Sequence, residues 1–192
     1  MPTEKPFYRV VLLAAPVIVG CLAAGIETYL HQGKNPAYPV YAALISLTAV
    51  ATGWVVIGGI SQRNTIRQNT NALLFARFAN APFGEAMHRF HCRFHFGQQG
   101  TITRGQLVEL INSGKEKDLQ DAMAAVYLLN YFEFVGSGVI RGDFDAAIVE
   151  ANIRGVVAYY YDKCEPYIRE ANATNPRVYE HLMKLRASYR EP

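Results

Sequence analysis

Two long apolar runs dominate the start of the chain, and polar residues punctuate the rest. The first run extends from Val10 to Ile26 and continues through Tyr29 and Leu30. The second extends from Tyr38 to Ile60 without a single charged residue. A helix rises about 1.5 Å per residue, so about 20 apolar residues cross a hydrocarbon core of roughly 30 Å. Both runs reach that length. The segment between them, His31 to Pro39, is short and rich in turn formers, which makes the two helices antiparallel neighbours. The pattern predicts a transmembrane hairpin over residues 1–60, with helices at about 10–30 and 38–60. Lys5 and Arg9 ahead of the first run give it the look of a secretory signal. The run is long, a second one follows closely, and no small-residue cleavage site precedes a secreted domain, so an uncleaved anchor is expected.

Residues 61–192 read as an all-α cytoplasmic bundle, with no strand alternation. The second membrane helix is expected to run on through Phe78, with Ile66, Leu73 and Leu74 as a partial stripe, and to break at Asn80 to Pro82. Phe83, Met87, Phe90 and Phe94 mark an amphipathic helix over 83–96, ended by Gly97 to Gly100. Thr101 or Thr103 opens a shorter helix through Ile111. A longer one runs from about Lys115 to Val135, interrupted by Gly136-Ser137-Gly138. Asp143 or Asp145 caps the next, whose buried side is Ile153, Val157, Tyr160, Cys164 and Ile168, with a kink expected at Pro166. A last helix is expected from Pro176 to Arg190, proline taking the first turn.

Charge sharpens the membrane reading. The net charge is only +3, too small to suggest nucleic acid as a partner. Its placement matters more. Lys5 and Arg9 precede the hairpin, Arg63 and Arg67 follow it, and the connecting segment carries one Lys. Positive charge on both outer flanks predicts a bacterial inner-membrane protein with both termini cytoplasmic, and Arg63 and Arg67 as basic residues at the membrane surface. Gly20 and Ala24, then Ala49 and Gly53, repeat small residues at four-residue spacing, which permits close helix contact within or between chains. Pro16 offers a kink. No ionisable residue lies at mid-span, which excludes a proton relay or charge-coupled transport through the hairpin. The three cysteines, Cys21, Cys92 and Cys164, show neither a disulfide framework nor zinc spacing.

Candidate chemistry is sparse, and the sequence assigns no catalytic residue and no cofactor. At about 3.6 residues per turn, His88, His91 and His95 fall on nearly one line of a helix, with Cys92 beside them. That makes the three histidines the candidate metal ligands, against the plainer reading of a polar flank between a Phe face and an Arg face. Arg89 with His95, and Arg177 with His181, offer loose Arg/His pairs of the kind in which His moves a proton and Arg stabilises phosphate charge. Glu133 lies among Tyr131, Phe132 and Phe134 and needs a partner; Arg141, Arg154 and Arg177 are the candidates for a structural ion pair. Of Tyr159 to Tyr161, only Tyr160 falls on the core stripe; the other two are expected to face solvent or a partner subunit.

The stretches LNYFEFV at 129–135, IRGD at 140–143 and NPRVYEHL at 175–182 resemble a bacterial helical family of unknown function whose members often carry N-terminal membrane helices. The resemblance covers roughly residues 60–190 and implies fold and placement, not activity. In architecture alone, the chain is also similar to accessory membrane proteins of RNA-targeting CRISPR loci, which join hydrophobic helices to a degenerate ribonuclease-like helical domain and assemble into pores. These features lead to the expectation of a non-enzymatic membrane protein that assembles as a homo-oligomer in the lipid bilayer, as a pore or effector in phage defence or stress. The alternatives are an accessory subunit of a larger membrane complex, and a membrane-tethered ribonuclease-like or metal-dependent enzyme.

Overall fold

A computed structural model describes residues 19–20, 22–23, 25–27, 29–30, 38–95 and 100–189. The start of the first expected helix with Pro16, Cys21 and Ala24, the connecting segment 31–37, and Gly97 lie outside the described residues. Among those described, every regular element is helical and no strand occurs. The chain divides into two units, Met1–Thr65 and Ile66–Pro192. The uninterrupted helix read beyond Ile60 is present: α1, Tyr38–Ala79, begins in the first unit and ends in the second.

In the first unit the described residues between 19 and 30 are helical. A Cβ built on Gly25 would meet Ile45 Cδ1 at 3.8 Å, an ordinary packing distance. The same Cβ on Gly20 or Gly53 meets nothing within 4 Å. Gly20 and Gly53 are therefore not consumed by contact with the described residues of the unit. In the apolar half of α1, the Thr48 and Thr52 hydroxyls turn back on the helix and donate to the carbonyls of Leu44 and Thr48 at 2.7 and 2.8 Å. Such local bonds satisfy hydroxyls in an apolar setting.

Among the described residues, two helices are long and apolar enough to cross a membrane, Ala43–Arg77 and Glu116–Arg141. Burial separates them. The most apolar window of the first is 0% buried, while that of the second is 44% buried. The second belongs to the core of its own unit.

That unit is built around α4, Glu116–Arg141. It packs against α2 (Ala81–Phe90), α3 (Arg104–Asn112), α5 (Ala146–Thr174) and α6 (Glu180–Ser188). Ala122, Ala125, Leu128, Leu129, Phe132 and Val135 of α4 are buried, facing Phe90, Val157, Tyr160 and Leu182 in one continuous cluster. The helix starts follow local chemistry. Asn80 precedes Pro82 in the first turn of α2. Thr103 and Gln106 form a reciprocal capping box at α3. Asp145, not Asp143, caps α5 by accepting from the amides of Ala147 and Ile148.

Three expected boundaries are corrected. The helix read over 83–96 is α2 followed by a π-helical turn, His91–His95. The glycine pair does not interrupt α4. Gly136 and Gly138 sit where neighbours press against the helix: a Cβ on Gly136 would stand 2.8 Å from the His181 carbonyl oxygen, and one on Gly138 would stand 2.2 Å from the Phe144 ring. Packing against close neighbours outweighs the weak helix propensity of glycine. Gly142, left-handed at φ 81°, ends the helix instead. The last helix begins at Glu180 rather than Pro176. Asn172 Nδ2 donates to the carbonyls of Pro176 and Val178, which holds 176–179 as a turn and places Tyr179 at φ 58°.

Pro166 of α5 has a partner that only the fold supplies. Ile102, 2% exposed, donates its amide to the Lys163 carbonyl at 2.7 Å and accepts from the Tyr167 amide at 3.2 Å. These are the two groups that an α-helix pairs at i and i+4. The residue before α3 thus docks onto α5 beside its proline, where the ring removes an amide donor and crowds the preceding turn.

Candidate functional site

The π turn sorts the histidine ladder into two groups. Phe90 and Phe94 are fully buried and fix the turn from inside, with Phe90 5.1 Å from Phe94 and 4.8 Å from Tyr160 between ring centroids. With the wider turn that follows, the polar residues around them face two ways. His91 and His95 lie against α5, and His88 and Cys92 line a cleft facing α4.

On the α5 side, the Tyr159 ring stacks on His91 at 5.5 Å with an interplanar angle of 8°. The Tyr159 hydroxyl lies 2.9 Å from His95 Nδ1. His91 Nδ1 lies 2.7 Å from the Met87 carbonyl. A carbonyl only accepts, so this nitrogen carries the proton. Burial raises the Tyr159 hydroxyl above its ordinary pKa, the Cys164 charge adding to it. Tyr160, deeper in the core, is raised further, by burial first.

The cleft on the other side has a volume of about 600 Å³. Glu85, His88, Arg89, Cys92 and Arg93 form one wall, and Lys117 and Asp121 of α4 the other. Arg89 donates from Nε and Nη2 to Glu85 Oε1 at 3.0 and 2.9 Å. Its Nη1 stands 3.8 Å from Asp121, a residue only 3% exposed. Arg93 stands 3.7 Å from Asp118. Cys92 Sγ lies 3.6 Å from His88 Nε2.

This geometry does not make a ligand set of His88, His91 and His95. Among the described residues, no group of three or more His, Cys, Asp or Glu is placed to hold a metal ion. The single line of an ideal α-helix is lost because the π turn changes the angular step between them. The Arg89/His95 pair is also separated, with Arg89 turned to Glu85 and Asp121 and His95 to Tyr159. Arg89 and His95 therefore do not turn toward a common partner.

Glu133 is paired, but with none of the three arginines read from the sequence. Its Oε1 lies 2.7 Å from His181 Nδ1 and accepts from the His181 amide at 3.2 Å. Its Oε2 accepts from the Leu182 amide at 2.7 Å. A carboxylate of α4 thus caps the first turn of α6, where free amides and the helix dipole favour negative charge. The arginines have local partners instead. Arg141 pairs with Asp143 at 3.0 Å. Arg154 lies 3.5 Å from Glu150 and donates to the Tyr189 carbonyl at 2.7 Å. Arg177 is exposed, with its amide on Asn175 Oδ1 at 3.2 Å. Arg67 is held by Asp145 at 3.2 Å, whereas Arg63 is exposed with no ion pair to the described residues.

Tyr161 is buried and Tyr159 half-buried, so neither faces freely outward. Lys117, Asp118 and Asp121 had no signal of their own in the sequence, and Tyr159 was read only as facing solvent or a partner subunit. They matter because α4 and α5 bring them to the π turn from far along the chain.

No curated protein and no solved structure matches the chain. A family model described as a domain of unknown function, DUF4760, matches residues 42–189. The match takes in nearly all of α1 as well as the second unit, so the apolar helix is part of the domain itself. The chain belongs to the DUF4760 family.

Proposed function

We propose that this protein is a non-enzymatic membrane protein that assembles with copies of itself. The observation that carries the reading is the bare apolar half of α1. Leu47, Val50, Trp54 and Ile57 are all largely exposed, Trp54 by 80%, and no element among the described residues covers them. Apolar surface left in water costs about 25 cal/mol per Å², so a lipid environment is the natural cover for such a helix. In this reading, residues 10–30 and 38–60 cross a bacterial inner membrane as a hairpin. The second unit lies on the cytoplasmic side, and Arg63 meets the lipid headgroups.

Assembly is supported by surfaces that the fold leaves uncovered. Gly20 and Gly53 have open space beside them in the first unit. In the second, Leu119, Met123, Tyr127 and Phe134 form an exposed apolar line along α4. Contiguous exposed apolar surface is a mark of interaction sites. Alkaline carbonate extraction should leave the chain in the membrane pellet, and light scattering in mild detergent should return a defined oligomer. Release into the supernatant would remove the membrane reading, and a monomer would remove the assembly reading.

The α4 line also suits a different protein partner, which would make the chain an accessory subunit. A stoichiometric companion on purification of the tagged chain would favour that outcome. A closed ring of hairpins would instead enclose a pore, the form required of an effector in phage defence or stress. Particle images in detergent separate the ring from an open assembly.

A further inference from the structure

The outer side of α4 carries a pattern that packing inside the second unit does not use. Glu116, Met123 and Asn130 are exposed and recur every seven residues. Tyr127, Phe134 and Arg141 are exposed and recur with the same period, each four residues after a member of the first row. Half-buried Gln120 and Ser137 fill the two remaining places. Steps of four and three residues thus alternate from Glu116 to Arg141, the spacing at which one helix meets another along a seam. At about 1.5 Å per residue the seam is roughly 38 Å long. Its apolar middle, Met123, Tyr127 and Phe134, is 57, 38 and 50% exposed, a contiguous patch of the kind that marks an interaction site. Its ends are oppositely charged, with Glu116 in the first turn and Arg141 in the last.

Granted that the chain assembles with copies of itself, we propose that α4 pairs antiparallel with α4 of a second copy, about a twofold axis between residues 128 and 129. The order of residues along the seam carries this choice. Antiparallel pairing about that point sets Glu116 against Arg141 of the second copy, and the reverse at the other end. Met123 meets Phe134, a sulfur–aromatic contact. Tyr127 meets Asn130, whose amide oxygen accepts from a phenol. The two helix dipoles oppose each other as well. Parallel pairing would instead stack Glu116 on Glu116 and Arg141 on Arg141, which repel. A lipid surface offers Asn130 and Glu116 no such partners. Within the chain, Glu116 accepts from Gln120 at 2.9 Å, and Arg141 pairs with Asp143 in an ion pair more than half exposed. An incoming copy shares such surface contacts without stripping a buried one. A twofold contact is complete with two copies. A larger assembly therefore needs a further contact, such as the helix surfaces at Gly20 and Gly53, and counts its copies in pairs.

The test uses the full chain in mild detergent, with Cys21 and the exposed Cys92 replaced by Ser; Cys164 is buried. Met123→Cys, Phe134→Cys and the double variant are oxidised with copper–phenanthroline, and linked peptides are identified by mass spectrometry. Both positions are exposed, so the substitutions leave the core intact. The double variant should give a covalent dimer joined from 123 to 134. Those positions lie about 16 Å apart on one helix, beyond the reach of a disulfide, so the link joins two copies. Each single variant should stay largely uncross-linked, because antiparallel pairing holds its own two thiols the same distance apart. Charge reversal gives an independent check. Glu116→Arg and Arg141→Glu should each weaken dimerisation about fivefold, the order expected of two exposed ion pairs, and their combination should recover most of the loss. Single cysteine variants that cross-link as well as the double variant would show parallel pairing and overturn the proposal. A defined oligomer without the 123–134 link overturns it too and leaves assembly standing, the result expected where a companion protein or lipid covers the seam. A monomer overturns both.

Discussion

Glu133 shows how far a single residue can be read. Its surroundings of Tyr131, Phe132 and Phe134 announce a carboxylate that needs a partner, and it has one. The partner is the start of α6, 48 and 49 residues away, and residue spacing cannot reveal a contact of that kind. Glu133→Ala leaves two amides of that first turn without their acceptor and should cost about 1–2 kcal/mol. Glu133→Gln keeps an acceptor oxygen and should cost less. Urea unfolding of the two variants checks the order, and equal losses would show that the charge and not the cap matters. Cys164 gives a pH signature. Burial pushes its thiol up from an ordinary 9.0 to about 12. Burial likewise raises Tyr160, Tyr179 and Tyr189. These groups stay protonated in the native state after they ionise in the unfolded one. The unfolded state then binds fewer protons, so stability is full below pH 9 and falls as pH rises toward 12. Melting temperature should decline across that window, and less steeply in Cys164→Ala. Identical slopes for the two proteins would contradict the assignment.

At the scale of elements, the sequence is most reliable where one signal acts alone. The run through Ile60 and Arg67 has neither glycine nor proline after Gly59 until Pro82, and α1 follows it to Ala79. Where signals compete, tertiary packing decides. Glycine at 136 and 138 reads locally as an interruption, yet His181 and Phe144 need the space that only glycine leaves. Likewise, proline at 176 reads as a helix start, yet Asn172 holds that segment as a turn. The kink expected at Pro166 coincides with the docking of Ile102 on α5. Ile102→Ala removes a buried side chain and should cost about 2–4 kcal/mol. It should also loosen the local docking, so the Tyr167 amide should lose hydrogen-exchange protection more than amides near Val149 do. Uniform loss over both regions would mean global destabilisation without a local role for Ile102.

At the scale of the whole molecule, the same composition serves two different ends. The stretches of α1 and α4 are alike in being long and apolar enough to cross a membrane, but among the described residues only that of α4 is wrapped by other helices. A charge introduced into each should act differently. Val50→Arg places a cation near the middle of the proposed span, where insertion costs about 2.5–3.5 kcal/mol. The variant should shift from the membrane pellet toward the soluble or aggregated fraction on carbonate extraction. Tyr127→Arg, on the exposed line of α4, should leave membrane recovery unchanged and lower the oligomer size in detergent. A reversed pattern would assign the two helices the opposite roles.

Sequence alone determined the all-helical class and the long apolar helix, and narrowed two caps to pairs of candidates, Thr101 or Thr103 and Asp143 or Asp145. Each of these depends on neighbours within a turn or two, and periodicity and caps record such neighbours directly. Tertiary structure alone decided which way the histidines face, what Glu133 binds, which apolar helix is buried and what lines the cleft. Those outcomes depend on residues such as Asp121, Tyr159 and His181, brought together from distant helices by the burial of Phe90, Phe132 and Tyr160. The π turn joins the two levels. Its residues are local, but the angle at which they present His91, Cys92 and His95 is set by the two phenylalanines that the rest of the core holds in place.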